Sequence, residues 1–266
     1  MARSQRLDLI DAHLHVWDPV LFSYAWMTPG SPLFRQHALD DIAESMQALH
    51  ITGGLLVEAA NSADEIPWLL GCAKAAGPRW GVIGSLPLEA ADAPERIAHL
   101  AGNPAFRGIR LNWLSPRLMG DTLARALHAM ADHRLVLDIL PAFDCLVEII
   151  ACAAAFPALT VVLEHMGGGD FSAAALAHWR SAIAPAGDLP NIAVKFSGWG
   201  TTDFLPDYLA AADALFGADR LMHGSNWPVC GDIALVTRAH LALTEQYSHG
   251  WRARFFHDTA ARIYGI

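Results

Sequence analysis

The sequence predicts an α/β protein, folded as a single (β/α)₈ TIM barrel that takes up residues 1–266. Short apolar runs recur along the chain, and each is followed by an alanine-rich stretch whose apolar positions return at helical spacing. Eight such runs occur, which is the number of parallel strands in a closed barrel. The length of 266 residues suits one barrel of roughly 250 residues, and no linker or repeat divides it.

The predicted elements alternate along the chain. The strands are near-continuous apolar runs, as expected for strands buried on both faces of a parallel sheet. They cover residues 7–12, 54–58, 80–86, 107–111, 135–139, 160–163, 192–196 and 221–223. The helices cover residues 38–49, 64–76, 93–101, 122–133, 143–156, 173–184 and 205–216. An open doubly wound sheet is the alternative, but no GxGxxG motif follows the first strand.

The charge balance excludes several classes of partner. The net charge is −9, and only Lys74 and Lys195 among the 18 basic residues are lysines. No basic cluster is present to neutralise phosphates, and no apolar run of 18 residues is available to span a bilayer. We therefore expect a small-molecule partner, no nucleic acid and no membrane, and a homo-oligomer stays open.

The cysteines and the first residues bear on cellular location. The four cysteines form no CxxC pair and lie in apolar surroundings, so we expect reduced core residues. They are Cys72, Cys145, Cys152 and Cys230. The first residues lack the apolar segment of a signal peptide, and the default expectation is a cytoplasmic location.

Polar residues stand at the end of the first predicted strand. Parallel barrels collect their chemistry at the C-terminal ends of the strands. Asp11, His13 and His15 alternate there, which places them on one face. Two neighbouring histidines at a barrel mouth suit the binding of a divalent metal or the polarisation of a carbonyl group. The alternative is a strand end that carries solvated histidines.

An arginine stands at the end of the fourth predicted strand. Arg110 lies in an apolar run, where its permanent charge is costly without an anionic partner. We expect it to hold a carboxylate of the substrate, and the alternative is a salt bridge to Glu58. Arg117, in the following loop, is either a second cationic contact or an exposed loop residue.

The last three strands also end in polar or aromatic residues. His165 precedes three glycines that permit a tight turn. Lys195 either contacts the substrate or balances Glu58 or Glu164, and His223 is expected in the barrel wall. Tryptophans near strand ends suit contact with a flat ring, although tryptophan is also a common core residue. They are Trp17, Trp113, Trp199 and Trp227, and we expect Trp113, Lys195 and Trp199 among the substrate contacts.

Four segments together resemble the amidohydrolase superfamily, and in particular its metal-independent lactonase branch. That branch includes 2-pyrone-4,6-dicarboxylate lactonase and L-fuconolactonase. The segments lie on strands one, four, six and eight in the family's order. They are Asp11-Ala-His13-Leu-His15, Gly108-Ile-Arg110-Leu-Asn112, Leu163-Glu164-His165-Met-Gly167 and Gly224-Ser225-Asn226-Trp227-Pro228.

The resemblance implies a barrel that hydrolyses a cyclic ester. By match of motif, His13, His15 and His165 would polarise the lactone carbonyl. Arg110 and Arg117 would hold a carboxylate of the substrate. A carboxylate after the eighth strand would act as the general base on water.

One residue at the site departs from the family pattern. Asn226 stands where the family has aspartate, and an amide cannot take a proton from water. Either the chain is an inactivated Asp-to-Asn variant of an active lactonase, or it is a divergent member with another base or no hydrolytic activity. Glu164 is a smaller departure, since the family more often has aspartate there.

Metal use is the second question that the resemblance raises. Binuclear members carry a carboxylated lysine at the end of the fourth strand, where this chain has Arg110, so we expect no metal. One alternative is a mononuclear Zn²⁺ or Mn²⁺ hydrolase or decarboxylase with His13, His15 and His165 as ligands. A further alternative is a non-catalytic barrel that binds a small molecule.

Overall fold

The computed structural model describes residues 7–114, 119–199 and 203–266, and these residues form a (β/α)₈ barrel. In these ranges eight strands form one parallel sheet, and each strand pairs with the next along the chain. The strands are β1 Leu9–Leu14, β2 Ile51–Val57, β3 Trp80–Ser85, β4 Phe106–Trp113, β5 Val136–Pro141, β6 Val161–Leu163, β7 Ile192–Phe196 and β8 Leu221–His223. The predicted fold class is confirmed.

Backbone hydrogen bonds join the end of β1 to the segment that follows β8. The N–H of Asn226 donates to the carbonyl of His13 at 2.7 Å, and the N–H of His15 donates to the carbonyl of Trp227 at 2.8 Å. These bonds bring the first and last strands together at the C-terminal end of the barrel.

Ten α-helices accompany the sheet in the described part of the chain. They are α1 Ala43–Leu49, α2 Ile66–Ala76, α3 Ala93–Ala101, α4 Asp121–Asp132, α5 Leu146–Ala155, α6 Leu176–Gly187, α7 Leu205–Phe216, α8 Ile233–Leu243, α9 His249–Ala253 and α10 Thr259–Tyr264. The seven predicted helices correspond to α1 to α7. The three helices that follow β8 lie outside the sequence prediction.

Three strands extend beyond their predicted C-terminal ends, and β5 continues to Pro141. β1 continues to Leu14 and β4 to Trp113, and these two extensions carry site residues. Histidine, asparagine and tryptophan follow the apolar runs at these points, so the apolar pattern stops before the backbone pairing does.

Two layers of apolar packing hold the barrel together. The larger cluster joins the outer face of the sheet to the helices. The smaller cluster fills the barrel and includes residues of α10; its members are Ile10, Ala12, Leu55, Val57, Ile83, Val136, Val162, Ala193, Met222, Ala260 and Tyr264. Gly265 and Ile266 lie beside Arg107 and Gly81, near the beginnings of β4 and β3. The helix α10 therefore covers the N-terminal end of the barrel.

Two expectations from the composition concern the state of the cysteines and membrane-spanning helices. All four cysteines are free thiols; Cys145 and Cys152 are buried, whereas Cys72 and Cys230 are partly exposed. No helix in the described ranges combines the length and the apolar character needed to cross a membrane.

A buried pair of histidines joins β8 to α8. The Nδ1 atoms of His223 and His240 lie 2.8 Å apart, so that one ring donates to the other. Burial lowers the pKa of both rings, that of His240 to about 3. The expectation that His223 is a wall residue is confirmed, since it is fully buried.

We expect this pair to make the fold sensitive to acid. A histidine whose folded-state pKa is lowered stays neutral in the fold but ionises in the unfolded chain, so stability is lost as pH falls below about 6.5. For each pH unit below that value, each such histidine should lower the free energy of unfolding by up to about 1.4 kcal/mol. Urea unfolding at about pH 7.5 and about pH 5.5 measures this loss. Between these two pH values His240→Gln should lose less unfolding free energy than the parent, whereas the exposed His249→Gln should lose as much as the parent. Equal losses in all three proteins would contradict the role of the pair.

Candidate active site

A cavity of about 350 Å³ opens at the C-terminal ends of the strands. It is lined by His15, Trp26, Glu58, Ala59, Asn61, Arg110, Asn112, Leu114, Leu140, His165, Asn226 and Val229. Four residues that the sequence predicts for the site, His15, Arg110, His165 and Asn226, are therefore brought together. His13, which is also predicted for the site, is fully buried and contacts both other histidines.

Three imidazole rings meet beside this cavity. The Nε2 atoms of His13 and His15 lie 3.2 Å apart, and the ring centroids of His13 and His165 lie 4.7 Å apart. His15 Nδ1 lies 2.8 Å from the carbonyl oxygen of Val57, which can only accept, so this nitrogen donates. His165 Nδ1 lies 2.9 Å from the hydroxyl of Ser197. The orientation of both cavity-lining rings is thus fixed by a partner.

All three rings are neutral at neutral pH. Burial lowers the pKa of His15 to about 3 and that of His165 to about 4. Burial, followed by the ammonium of Lys195, lowers the pKa of His13 well below its usual value. A neutral imidazole offers one N–H donor and one lone pair, which suits a hydrogen bond to a carbonyl oxygen as negative charge develops on it.

A close approach of the backbone holds His165 in place. His165 and Met166 have φ angles of 51° and 58°, in the left-handed region that such residues rarely adopt. A Cβ atom at Gly198 would lie 2.6 Å from the Cβ of His165, and Gly198 has a φ of +98°. Only glycine fits at this position, because the histidine occupies the space of any side chain there.

Asp11 ties the first strand to the segment that follows the last one. One oxygen of its carboxylate accepts the backbone N–H of His13 at 3.1 Å and that of Ser225 at 2.9 Å. Burial raises the pKa of Asp11 to about 6. The side chain is fully buried and does not line the cavity, so it positions His13 and the loop that carries Asn226.

Gly224 gives a test of how tightly His13 is packed. A Cβ atom at this glycine would lie 2.7 Å from the Cβ of His13 and 3.2 Å from that of Ser197. We expect Gly224→Ala to lower the free energy of unfolding by about 1–3 kcal/mol, the usual cost of overpacking. Chemical denaturation measures the change. Gly71→Ala in α2, where nothing lies within 4 Å, is the control and should be neutral or stabilising. Equal stability of the two variants would contradict the packing argument.

Arg110 lies between two buried carboxylates. Its Nε and Nη2 donate to the same oxygen of Glu164 at 2.9 and 2.7 Å, and its Nη1 lies 3.5 Å from Glu58 Oε1. Burial by itself would raise the pKa of Glu164, but Arg110 and then Lys195 hold it below its usual value. The salt bridge to Glu58 is therefore present, with Glu164 as the closer partner. The guanidinium also lines the cavity, so a contact with substrate stays a prediction.

Asn226 stands at the cavity wall in the left-handed backbone region, with φ 54°. Its side-chain Nδ2 donates to the Sγ of Cys230 at 3.3 Å. Asparagine and aspartate adopt this backbone conformation more readily than most residues. The position therefore accepts either residue, and the residue present brings an amide to the cavity instead of a carboxylate.

Lys195 is fully buried and lies outside the cavity lining. Its ammonium forms an ion pair with Asp138 of β5. This corrects the expected pairing with Glu58 or Glu164. The sequence signal for this ion pair is Asp138, an acid within an otherwise apolar predicted strand, since a buried carboxylate needs a partner.

Two of the predicted aromatic contacts lie in the core. Trp113 is buried in the larger apolar cluster, on the face of β4 opposite to Arg110, because it stands three positions after Arg110 and side chains alternate between faces along a strand. Trp199 packs against Phe171 and Phe196 in the same cluster, with ring centroids 4.3 and 5.3 Å apart. Neither tryptophan lines the cavity, so their contact with substrate stays a prediction.

Other aromatic and polar residues take part instead. Trp26 lines the cavity, is about half exposed, and donates from Nε1 to the carbonyl of Ala59 at 2.8 Å. Asn112 donates to Asn61 at 3.3 Å on the same wall. These residues are not among those predicted for the site, although both asparagines stand close to predicted strand ends. Arg117 lies outside the described residues.

Three residues beside the cavity carry donor atoms of the kind that bind a divalent metal. His13, Glu164 and His165 offer ligand atoms within 4.8 Å of one another. Two cationic groups already lie against them, because Lys195 Nζ is 3.4 Å from His13 Nδ1 and Arg110 holds Glu164. A further positive ion there would be repelled, and position 226 supplies no carboxylate. The residues present do not fit a divalent ion.

Known proteins share this architecture. The amidohydrolase family profile matches residues 10–266. L-fucono-1,5-lactonase from Burkholderia ambifaria is 28% identical over 97% of this chain and 95% of its own length. An amidohydrolase from Burkholderia multivorans with bound zinc has a TM-score of 0.86 and 28% identity, over 97% of this chain and 99% of that one. A Pseudomonas putida structure, named as a candidate 2-pyrone-4,6-dicarboxylic acid hydrolase, shares the fold with a TM-score of 0.77 at 22% identity, over 97% and 98% of the two chains. The chain therefore belongs to the amidohydrolase family.

Proposed function

We propose that this chain is built to hydrolyse a small lactone that carries one carboxylate, without a metal cofactor. The observation that carries the proposal is the group of three neutral imidazoles, His13, His15 and His165, beside a cavity that Arg110 and Asn226 also line. Opening of a lactone builds negative charge on the carbonyl oxygen, and pre-placed N–H donors stabilise that charge. The relatives named as lactonases support this type of reaction.

The reaction needs a water molecule, an oxyanion site and a base. Water adds to the ring carbonyl carbon, the ring C–O bond breaks, and the leaving oxygen takes a proton, which gives a hydroxy acid. In this proposal His13 and His165 stabilise the developing oxyanion and residue 226 faces the water. His15, whose N–H is bound to the carbonyl of Val57, positions His13. An aspartate there takes the proton from water, whereas Asn226 only orients the water.

The size and charge of the cavity limit the substrate. About 350 Å³ lies near the lower end of the roughly 300–1,000 Å³ range of ligand cavities, which suits a monocyclic lactone. Among the described residues, Nη1 of Arg110 makes only long contacts, at 3.4 and 3.5 Å, both to Glu58. This nitrogen is the group that we expect to meet a carboxylate of the substrate. The segment Gly198-Trp199-Gly200-Thr201-Thr202 adds no second arginine, so we expect one carboxylate and not two.

A non-catalytic binding barrel is the alternative that one observation favours. Asn226 removes the base while the cavity and its donors remain, so this alternative predicts binding without turnover, even after Asn226→Asp. A zinc- or manganese-dependent hydrolase or decarboxylase is the further alternative. It predicts a tightly bound, stoichiometric metal that activity requires.

A panel of lactones tests the proposal. Sugar-acid lactones and a carboxylated pyrone are incubated with the chain and with Asn226→Asp after dialysis against a chelator, and acid release is followed with a pH indicator. We expect the aspartate variant to hydrolyse at least one lactone at a rate that neither the chelator nor added zinc changes. Activity that requires zinc, or lactone binding without turnover by both proteins, would reject the proposal in favour of the corresponding alternative.

A further inference from the structure

A buried lysine stands near the centre of the barrel. The ammonium of Lys195 pairs with Asp138, and the second oxygen of that carboxylate accepts the phenol O–H of Tyr264 at 2.7 Å. Tyr264 reaches this point from α10, which covers the end of the barrel remote from the cavity, and Lys195 Nζ lies 5.4 Å from the centroid of its ring. A buried charge is costly unless it is paired and hydrogen-bonded. These partners therefore fix the charge and the place of the ammonium.

The same ammonium reaches His13. Lys195 Nζ lies 3.4 Å from His13 Nδ1. An ammonium has donors only, so Nδ1 must present its lone pair and the proton of the neutral ring lies on Nε2. Glu164 competes for Nδ1 through Oε1, which has no hydrogen-bond partner among the described residues because Arg110 donates to the other oxygen. Oε1 lies 3.6 Å from Nδ1, farther away than the ammonium.

The neighbouring ring agrees with this assignment. His15 must donate from Nδ1 to the carbonyl of Val57, which leaves a lone pair on its Nε2. The N–H at Nε2 of His13 then faces this lone pair across 3.2 Å. In the opposite tautomer of His13 two lone pairs would face each other, and only a cation between them would relieve the repulsion. The tautomer of His13 therefore decides between a hydrogen-bond donor and a metal ligand.

We infer that Lys195, held by Asp138 and Tyr264, is a positioning residue that keeps His13 in the Nε2–H tautomer, as a donor to a substrate carbonyl and not as a metal ligand. The role toward a lactone rests on the proposed function. The tautomer itself is a property of the folded chain without substrate. When a lactone enters, its carbonyl oxygen takes the N–H that His15 accepts in the free site.

Nitrogen-15 NMR of histidine-labelled protein reads the tautomer directly. In the parent at neutral pH we expect the His13 proton on Nε2 and an unprotonated Nδ1. Lys195→Met removes the donor while Glu164 can still accept from Nδ1, so the fraction of the Nδ1–H form should rise. Lys74→Met, which changes the exposed lysine of α2, is the matched control and should leave the His13 signals unchanged. A parent spectrum with the proton on Nδ1, or an unchanged tautomer in Lys195→Met, overturns the inference.

Zinc affinity gives a second, independent readout. Loss of the ammonium favours the Nδ1–H tautomer of His13, which carries a lone pair on Nε2. It also removes a positive charge that would repel Zn²⁺. Lys195→Met should bind Zn²⁺ about tenfold or more tightly than the parent, in competition with a chelating dye. Lys74→Met should match the parent. Equal zinc affinities of Lys195→Met and the parent would overturn the inference.

A charge-balanced variant covers the case in which the single substitution prevents folding. Lys195→Met leaves Asp138 buried without its cation, whereas Lys195→Met with Asp138→Asn leaves neither charge unpaired. The double variant should show the same change of tautomer and the same gain in zinc affinity.

The lactone panel separates this inference from the proposed function. A parent with the Nε2–H tautomer whose Asn226→Asp form hydrolyses no lactone rejects the function alone, whereas an active Asn226→Asp enzyme with the Nδ1–H tautomer rejects the inference alone.

Discussion

Asn226→Asp raises the rate of lactone hydrolysis by about 10²–10⁴-fold, the usual contribution of a general base. The position faces the cavity, and its left-handed backbone suits aspartate as well as asparagine. The two side chains have nearly the same size, so the carboxylate takes the place of the amide. Burial raises the pKa of the Cys230 thiol, which accepts from the amide at 3.3 Å, so it stays protonated and can donate to the new carboxylate.

Steady-state kinetics with the best lactone of the panel measure this gain. It should lie in kcat with KM little changed, because the base acts on the bound substrate as the water attacks. The rate should rise with pH until the new carboxyl group is ionised, since only the anion accepts a proton. Asn103→Asp adds the same charge at an exposed loop position and should leave the rate unchanged. If Asn226→Asp gains no activity on any lactone, either another residue acts as the base or the chain does not hydrolyse lactones.

The barrel and the group of histidines follow from local patterns in the sequence. The bounds of β7 and α7 coincide with the predicted ones, because apolar continuity and helical spacing end where backbone hydrogen bonding ends. His13, His15 and His165 are predictable for a topological reason. The C-terminal ends of parallel strands meet at one end of a barrel, so residues at the ends of distant strands become neighbours.

Pairing across the interior of the barrel does not follow from such patterns. Asp138 and Lys195 stand in apolar strands, and which carboxylate the lysine meets depends on the register of strands that are far apart in the chain. Tyr264 comes from a helix beyond the last strand. Trp113 is a different case, since its position three residues after Arg110 already places it on the opposite face of the strand. Strand geometry outweighs residue type at such positions.

Arg110→Met lowers the free energy of unfolding by about 3–5 kcal/mol, the usual cost of removing one partner from a buried ion pair. Glu58 and Glu164 are both almost fully buried, and each contacts this guanidinium. Methionine fills part of the space but leaves both carboxylates without their closest cation. The loss should therefore be larger than for any exposed pair. Arg35→Met removes the partner of Asp41 at 3.6 Å on the surface and should cost about 0–1 kcal/mol.

The pH dependence of the Arg110→Met deficit separates lost charge pairing from lost packing. In the parent the pKa of Glu164 is held below its usual 4.5, so the stabilisation from this pair is present above that pH and is lost as pH falls through the folded-state value. Without Arg110, burial raises the pKa, and protonation relieves the penalty as pH falls. The difference in unfolding free energy between parent and variant should therefore be smaller at about pH 5 than at about pH 8. Glu164→Gln in the Arg110→Met background should recover part of the loss at the higher pH. A loss of unfolding free energy no larger than that of Arg35→Met, and constant with pH, would mean that the fold does not need the guanidinium of Arg110. Arg110 would then be available to bind a carboxylate of the substrate.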